Sequence, residues 1–291
     1  MSNEKKTCKY AEKLNEKLDK CEHYQKFAKY RDHILSLGND SLEKTIAIAL
    51  SLCFVCAILV SVAAVALRPL QIENKAMDMK KNILDVAGLL QDGTDIHEAF
   101  ASKIEAKLVD MATGDYIDGD VLAYDQRKAA KDPEQNISLT TAQDIAGIKR
   151  RAKIAKVYLV KEGESLKSII LPVHGYGLWS TMYGFLALDA DGQTVQSINF
   201  YDQGETPGLG AEVVNPNWRA LWKGKKVYDE SGNVSLALIK GLVDNSKPGS
   251  EFQVDGLAGA TLTSVGVTNL VKYWMSQEGF AAYLEKVRIK G

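Results

Sequence analysis

The pattern of hydrophobic positions divides the chain before any single residue does. From Thr45 to Leu67 it reads TIAIALSLCFVCAILVSVAAVAL, 23 positions without a charge. At 1.5 Å per residue a helix of that length reaches about 35 Å, enough for a hydrocarbon core of about 30 Å. Lys44 and Arg68 bracket the run, and Pro69 predicts a helix stop. Ala64-Val65-Ala66 has the small residues of a leader cleavage site. The apolar run is too long for a leader, however, and a charged tail of 44 residues precedes it, so it reads as an uncleaved anchor.

On either side the periodicity changes. The tail, residues 1–44, carries Tyr10, Leu14, Leu18, Tyr24, Phe27 and Ile34 at helical spacing among Lys and Glu. It reads as a solvated amphipathic helix or partly disordered tail, or as a docking helix for a partner. Residues 68–140 read as a helical and turn-rich connecting part, with helices from Ile72 to Leu90 and Ile96 to Lys107, a strand pair in VDMATGDYIDGD, and an exposed loop from Ala129 to Ala142. From 141 to 291 the pattern turns to strands. KIAKVYLVKE, SLKSIILPVHGYG and MYGFLALDADGQTVQSINFYDQ are rich in β-branched and aromatic residues, and Asp191-Gly192 signals a hairpin. Helical spacing returns from Ser264 to Lys286 with Val267, Leu270, Val271, Trp274 and Phe280. The fold class is α+β, a mixed or antiparallel sheet with helices packed on it, behind one transmembrane helix.

Composition changes this picture little. The formal net charge is −1 with 25% charged residues, and no basic stripe interleaved with aromatics speaks for a nucleic-acid partner. Cys8 and Cys21 lie in the tail, Cys53 and Cys56 in the apolar run, and none follows. The large domain therefore has no disulfide framework and no cysteine-ligated cluster of its own. Cys53 and Cys56 read as small membrane-helix residues rather than a metal or redox motif. The tail carries ten Lys or Arg against eight Asp or Glu, and Arg68, Lys75, Lys80 and Lys81 follow the anchor. Basic residues nearly balance across it, and the reading adopted is tail inside, domain outside.

Three glycine-rich segments, HGYGLWS (174–180), GETPGLGAE (204–212) and DGLAGATLTS (255–264), are candidates for close approach to a ligand or for simple turns. The last leads into a helix, so its Thr261, Thr263 and Ser264 either cap that helix or face an anion at its start. No G-x-x-x-x-G-K-[ST] occurs, and Gly208-x-Gly210 lacks the context of a dinucleotide fold. With only His97 and His174 in the domain and no cysteine there, a hydrolase triad has no support.

DGLAGAT resembles the flavinylation motif D-x-x-[ST]-G-A-T, in which the last threonine receives FMN through a phosphoester. Asp255, Gly259, Ala260 and the acceptor Thr261 match; Ala258 stands where Ser or Thr is usual, and Thr263 is the second acceptor candidate. KNILDVAGL, GYGLWSTMYGFLALD and GETPGLGAEVVNPNWRALWKGK extend the resemblance, from the anchor to the C-terminus, to the C subunit of the sodium-translocating NADH:quinone oxidoreductase. The G subunit of the Rnf-type complex shares the ETPGLG and GAT elements, while GLWSTMYG favours the oxidoreductase.

The resemblance implies an electron-relay subunit in a bacterial inner membrane with its large domain on the periplasmic side. It implies covalent FMN, a flavin transferase that attaches it, other respiratory subunits and membrane lipid as partners, and an NADH site on another subunit. Gly177, Leu178, Trp179, Thr206, Gly208, Leu209 and Leu257 are the residues expected around the ring. Glu205 is expected to order its own loop or to sit near the flavin, and His174 and Tyr176 to be structural.

Overall fold

The computed structural model describes residues 22–163 and 165–290. Cys8, Tyr10, Leu14, Leu18 and Cys21 lie outside them. The chain forms two compact units, dividing between Glu73 and Asn74.

The first unit contains α1 (Glu22–Ser36) and most of α2 (Leu42–Val86). The stop expected at Pro69 and a separate helix from Ile72 are replaced by one helix of 45 residues with Pro69 inside it. A proline ring already holds φ near the helical value, so its cost is one backbone hydrogen bond and a local clash. Strong helix formers on both sides, Ala63, Ala64, Ala66 and Leu67 before and Leu70, Gln71 and Glu73 after, carry the helix through. Its most apolar stretch has no buried residue, which fits a membrane anchor and not a core helix.

The second unit is built on a sheet. After α3 (Ile96–Lys103) come β1 (Ile104–Asp110), β2 (Tyr116–Ile117), α4 (Gln126–Ala129), β3 (Asn136–Ser138) and β4 (Arg150–Ala152). Then follow β5 (Ile154–Glu162), β6 (Ser165–Tyr176), β7 (Thr181–Asp189) and β8 (Val195–Asp202). Six strands make one antiparallel sheet in the order β2-β1-β5-β6-β7-β8. The helix expected to reach Lys107 stops at Lys103, because Ile104 to Lys107 pair with Val160 to Val157 of β5. The loop expected over 129–142 contains β3, which pairs with β4.

Both faces of the sheet are covered, and this is why its strands read as nearly unbroken apolar runs rather than as clean alternation. Val157, Leu159, Ile169, Leu171, Val173, Leu186 and Ile198 point into the larger core with Trp218, Trp222 and Trp274. Their neighbours Tyr158, Val160, Ile170, Phe185 and Ala187 point the other way, onto Ile83, Leu84 and Val86 at the end of α2. Downstream lie α5 (Pro216–Ala220), the short parallel pair β9 (Ala237–Leu238) and β10 (Gln253–Val254), α6 (Thr261–Met275) and α7 (Ala281–Lys290). The single helix expected over 264–286 is thus two. The chain turns at Ser276 to Phe280, where the Phe280 N–H returns to the Trp274 carbonyl at 2.6 Å.

The end of α2 is also pinned by polar contacts. Asp85 Oδ2 accepts from Arg219 Nη2 at 2.6 Å and from Asn199 Nδ2 at 2.9 Å, and Asn199 Nδ2 also reaches Asn82 Oδ1 at 2.8 Å. Arg219 Nε donates to the Ile198 carbonyl at 2.7 Å. Removing the shared acceptor takes one partner from the buried Asn199 amide and one from the Arg219 guanidinium. Asp85→Ala is expected to lower the unfolding free energy of this unit by about 1–3 kcal/mol. Urea unfolding in detergent checks this, and Ala at the exposed Asp92 should change stability by less than about 0.5 kcal/mol.

Candidate functional site

The three glycine-rich segments meet at one end of the sheet. The first connects β6 to β7, the second follows β8, and the third enters α6. Their junction is the carboxylate of Glu205, only 5% exposed. It accepts the Leu178 N–H at 3.0 Å, the Trp179 N–H at 3.0 Å and the Ser180 N–H at 3.4 Å. Its other oxygen accepts the Thr263 hydroxyl at 2.7 Å. Glu205 therefore orders not its own loop but the neighbouring one, and ties that loop to the first turn of α6. Ser180 returns the link, its hydroxyl accepting the Gly204 N–H at 2.7 Å.

The glycines beside this carboxylate are explained by it. A Cβ on Gly177 would stand 2.5 Å from Glu205 Oε1, and one on Gly210 would stand 2.5 Å from Thr263 Oγ1 and 2.8 Å from Glu205 Oε2. Burial alone would raise the Glu205 pKa. The hydroxyl of Thr263 and the N–H groups of Trp179, Leu178 and Ser180 outweigh it and hold the carboxyl below its ordinary range, so the group is ionised.

α6 begins at Thr261 without a side-chain cap, so the N–H groups of its first turn have no capping side chain as partner. Thr261 is exposed, as are Ala258 and Gly259 before it, while Ala260 is buried. The approach is shaped from within: Ser264 Oγ accepts the Leu257 N–H at 3.0 Å and donates to the Ala260 carbonyl at 3.1 Å. Gly259 lies close enough to Leu209 that a Cβ would stand 2.9 Å from its Cδ2, which joins the second segment to the third.

Around this start lie Leu178, Trp179 and Leu209, with exposures of 37%, 65% and 43%. Leu262 at 60% and Val265 at 49% add two apolar side chains to the outer face of α6, and neither was among the residues expected there. Two exposed hydrophobes at i and i+3 just after a candidate acceptor were the available signal. Thr206, Pro207 and Gly208 are exposed beside them.

Other expected site residues serve the framework. Thr263 is 1% exposed, with its hydroxyl engaged by Glu205. Leu257 belongs to the core. Asp255 turns its carboxylate to the Val243 N–H at 2.7 Å, and its carbonyl accepts Trp218 Nε1 at 2.9 Å. His174 stacks on Tyr183 and touches Trp274, and burial, with Arg127 nearby, pushes its pKa down to about 4. It is a neutral packing residue. Tyr176 is half exposed, its carbonyl under Gly266 of α6.

An FMN tethered by a phosphoester would need a hydroxyl, donors for the phosphate and apolar surface for the ring. Thr261, the uncapped helix start and the Leu178–Trp179–Leu209 surface supply these in one place, so the residues present fit the group.

Similarity to known proteins points to the same place. A family model for the FMN-binding domain matches residues 177–276. The C subunit of the Na(+)-translocating NADH-quinone reductase of Vibrio vulnificus is 52% identical over 254 residues, covering 87% of this chain and 98% of the relative. That of Pseudomonas aeruginosa is 49% identical over 255 residues, covering 86% and 98%. The crystal structure of NqrC from Shewanella oneidensis matches with a TM-score of 0.69 at 34% identity, over 74% of this chain and 99% of that one. The fold and the site thus define an FMN-binding domain, preceded by one helix, among the described residues, that is long and apolar enough to cross a membrane. The chain belongs to the NqrC family, the C subunits of Na(+)-translocating NADH-quinone reductases.

The Glu205 linkage has a definite pH signature. The folded-state pKa lies below the unfolded 4.5, so its contribution is complete above pH 4.5 and is lost as pH falls through the folded value. Thermal unfolding of wild type and Glu205→Gln across pH 3 to 7 is expected to show a gap of about 1–3 kcal/mol at neutral pH that narrows on acidification. A gap independent of pH would contradict an ionised Glu205.

Proposed function

We propose that this chain is the electron-relay subunit of a Na(+)-translocating NADH-quinone reductase, carrying FMN in a phosphoester bond to Thr261. Family membership supports the complex, and the exposed hydroxyl of Thr261 at the open start of α6 supports the attachment point. FMN, once attached, supplies one- and two-electron redox chemistry. The chain's own residues do the rest. Thr261 tethers the phosphate, and the first-turn N–H groups of α6 stabilise its charge by about 0.3–1 kcal/mol.

Leu178, Trp179 and Leu209 present apolar surface for the ring, with Gly177, Thr206 and Gly208 in the loops that carry them. Asp255, Leu257, Gly259, Ala260 and Thr263 shape the approach to Thr261 from beneath. A tether removes the need for an enclosing pocket, which leaves the ring side open to a neighbouring subunit. That suits relay better than chemistry on a bound metabolite.

A flavin transferase with FAD as donor attaches the group in this reading, and Ala258 in place of the usual hydroxyl residue removes a supporting hydroxyl while the acceptor Thr261 is kept. The chain sits in the bacterial inner membrane among lipid and the other subunits, with residues 45–67 spanning and 1–44 inside. Residues 68–140 then connect to the FMN-binding part, 141–291, on the periplasmic side. NADH is oxidised on another subunit.

The experiment is in-gel flavin fluorescence of the denatured chain, co-produced with a flavin transferase. Wild type and Thr263→Val are expected to fluoresce and Thr261→Ala to be dark. Fluorescence retained in Thr261→Ala, or absent from wild type, would overturn the assignment.

A further inference from the structure

The amphipathic helix before the anchor takes no part in the flavin site. α1 separates its residues by face. Tyr24, Phe27, Tyr30 and Leu35 fall within one half of the helical circumference, and Lys26, Lys29 and His33 fall in the other. The apolar half is uncovered at Tyr24, Phe27, Tyr30 and Leu35, with exposures of 36%, 64%, 54% and 63%, while Ile34 beside them is buried. The exposed His23 and Arg31 also lie within this half. The Arg31 guanidinium bonds Asp32 at 2.7 and 2.9 Å, and its long stem lets the charge reach outward.

What faces that surface is set by the turn after it. Only residues 37–41 separate α1 from α2. Lys44, the charge that brackets the apolar run of α2, donates from Nζ to the Leu37 carbonyl at 2.8 Å and to Asn39 Oδ1 at 3.0 Å. His33 Nε2 lies 3.6 Å from Glu43 Oε1, and Ser41 caps α2 by accepting the Lys44 N–H at 3.2 Å. The C-terminal end of α1 is therefore held at the level where α2 passes from charged to apolar sequence. Tyrosine and phenylalanine with flanking lysines are the side chains that settle at a bilayer interface.

We propose that α1 is an in-plane interfacial helix, its Tyr24–Phe27–Tyr30–Leu35 face inserted at the headgroup–acyl boundary of the leaflet that α2 enters. This rests on the reading of α2 as membrane-spanning. α1 has three Lys or Arg against two Asp or Glu, so apolar burial and not charge drives insertion. The depth should then be the same in neutral and in anionic bilayers. The helix would fix the rotation and height of the anchor at the end of α2 that it precedes.

The test uses the full chain with Cys8, Cys21, Cys53 and Cys56 replaced by serine or alanine, reconstituted in phosphatidylcholine vesicles with and without phosphatidylglycerol. Single nitroxide labels go at Phe27→Cys, Lys29→Cys and, as an internal reference, Phe54→Cys within the apolar run. Power saturation compares access of oxygen and of an aqueous nickel chelate. The expected result is a Phe27→Cys label about 5–10 Å below the headgroups in both lipid mixtures, with Lys29→Cys aqueous and Phe54→Cys deeper still.

Nickel access at Phe27→Cys equal to that at Lys29→Cys would show a solvated helix. Shielding of Phe27→Cys from both reagents would show a face covered by protein, such as a second copy. Either result, with Phe54→Cys deep, overturns the interfacial helix and leaves the anchor standing. An aqueous Phe54→Cys label would overturn the anchor and the helix placement with it.

Discussion

A single buried carboxylate organises the flavin end of this protein. Burying an ionised group costs several kcal/mol unless donors replace water. Glu205 recovers that cost from three backbone N–H groups and one hydroxyl that belong to two other segments. Each donor is thereby fixed relative to the others. The loop bearing Leu178 and Trp179, the turn bearing Leu209 and the first turn of α6 become one body. Thr261, two residues before Thr263, inherits its position from this linkage without touching it. The glycines at 177 and 210 follow as a consequence, since a side chain at either would occupy the space of the carboxylate or its partner.

The sheet makes such precision possible. Its strands are buried on both faces, by the end of α2 and α3 on one side and by α6, α7 and the tryptophan-rich segment on the other. The segments that bear the site emerge from the ends of β6 and β8 and from the start of α6, all within this packed block. Rigid elements behind and short loops in front are the arrangement in which a tethered cofactor can be held without an enclosing pocket. The exposed leucines and Trp179 would be a liability on an ordinary surface. In the proposed reading they are the surface offered to the ring and to a neighbouring subunit.

Much of this was legible in the residues, and the failures share a cause. Strands β5 to β8 declared themselves by β-branched content, and the Asp191-Gly192 turn joined the last two. Thr261 stood out through its motif and the helix that follows. What could not be read were relations between distant segments. Nothing local in GETPGLG says that its glutamate serves a loop 25 to 27 residues earlier. Nothing in DGLAGATLTS says that Thr263 is spent on that glutamate, or that Asp255 faces Val243. Pro69 was misleading because helix propensity on both sides outweighs one lost hydrogen bond. Ile104 to Lys107 was misleading because a ladder with β5 overrides the helical pattern. Except at Pro69, where local propensity decided, tertiary pairing chose between local options of similar energy.

The Glu205 linkage should build the flavin site before any flavin arrives. Amide hydrogen exchange at Leu178 and Trp179, in chain prepared without flavin, tests this most directly. Slow exchange is expected at both amides, at a rate close to that of the sheet, and fast exchange when Glu205→Gln is added. Fast exchange at both amides while Glu205 is present would mean that the loop forms only around the cofactor, and would contradict a preformed site.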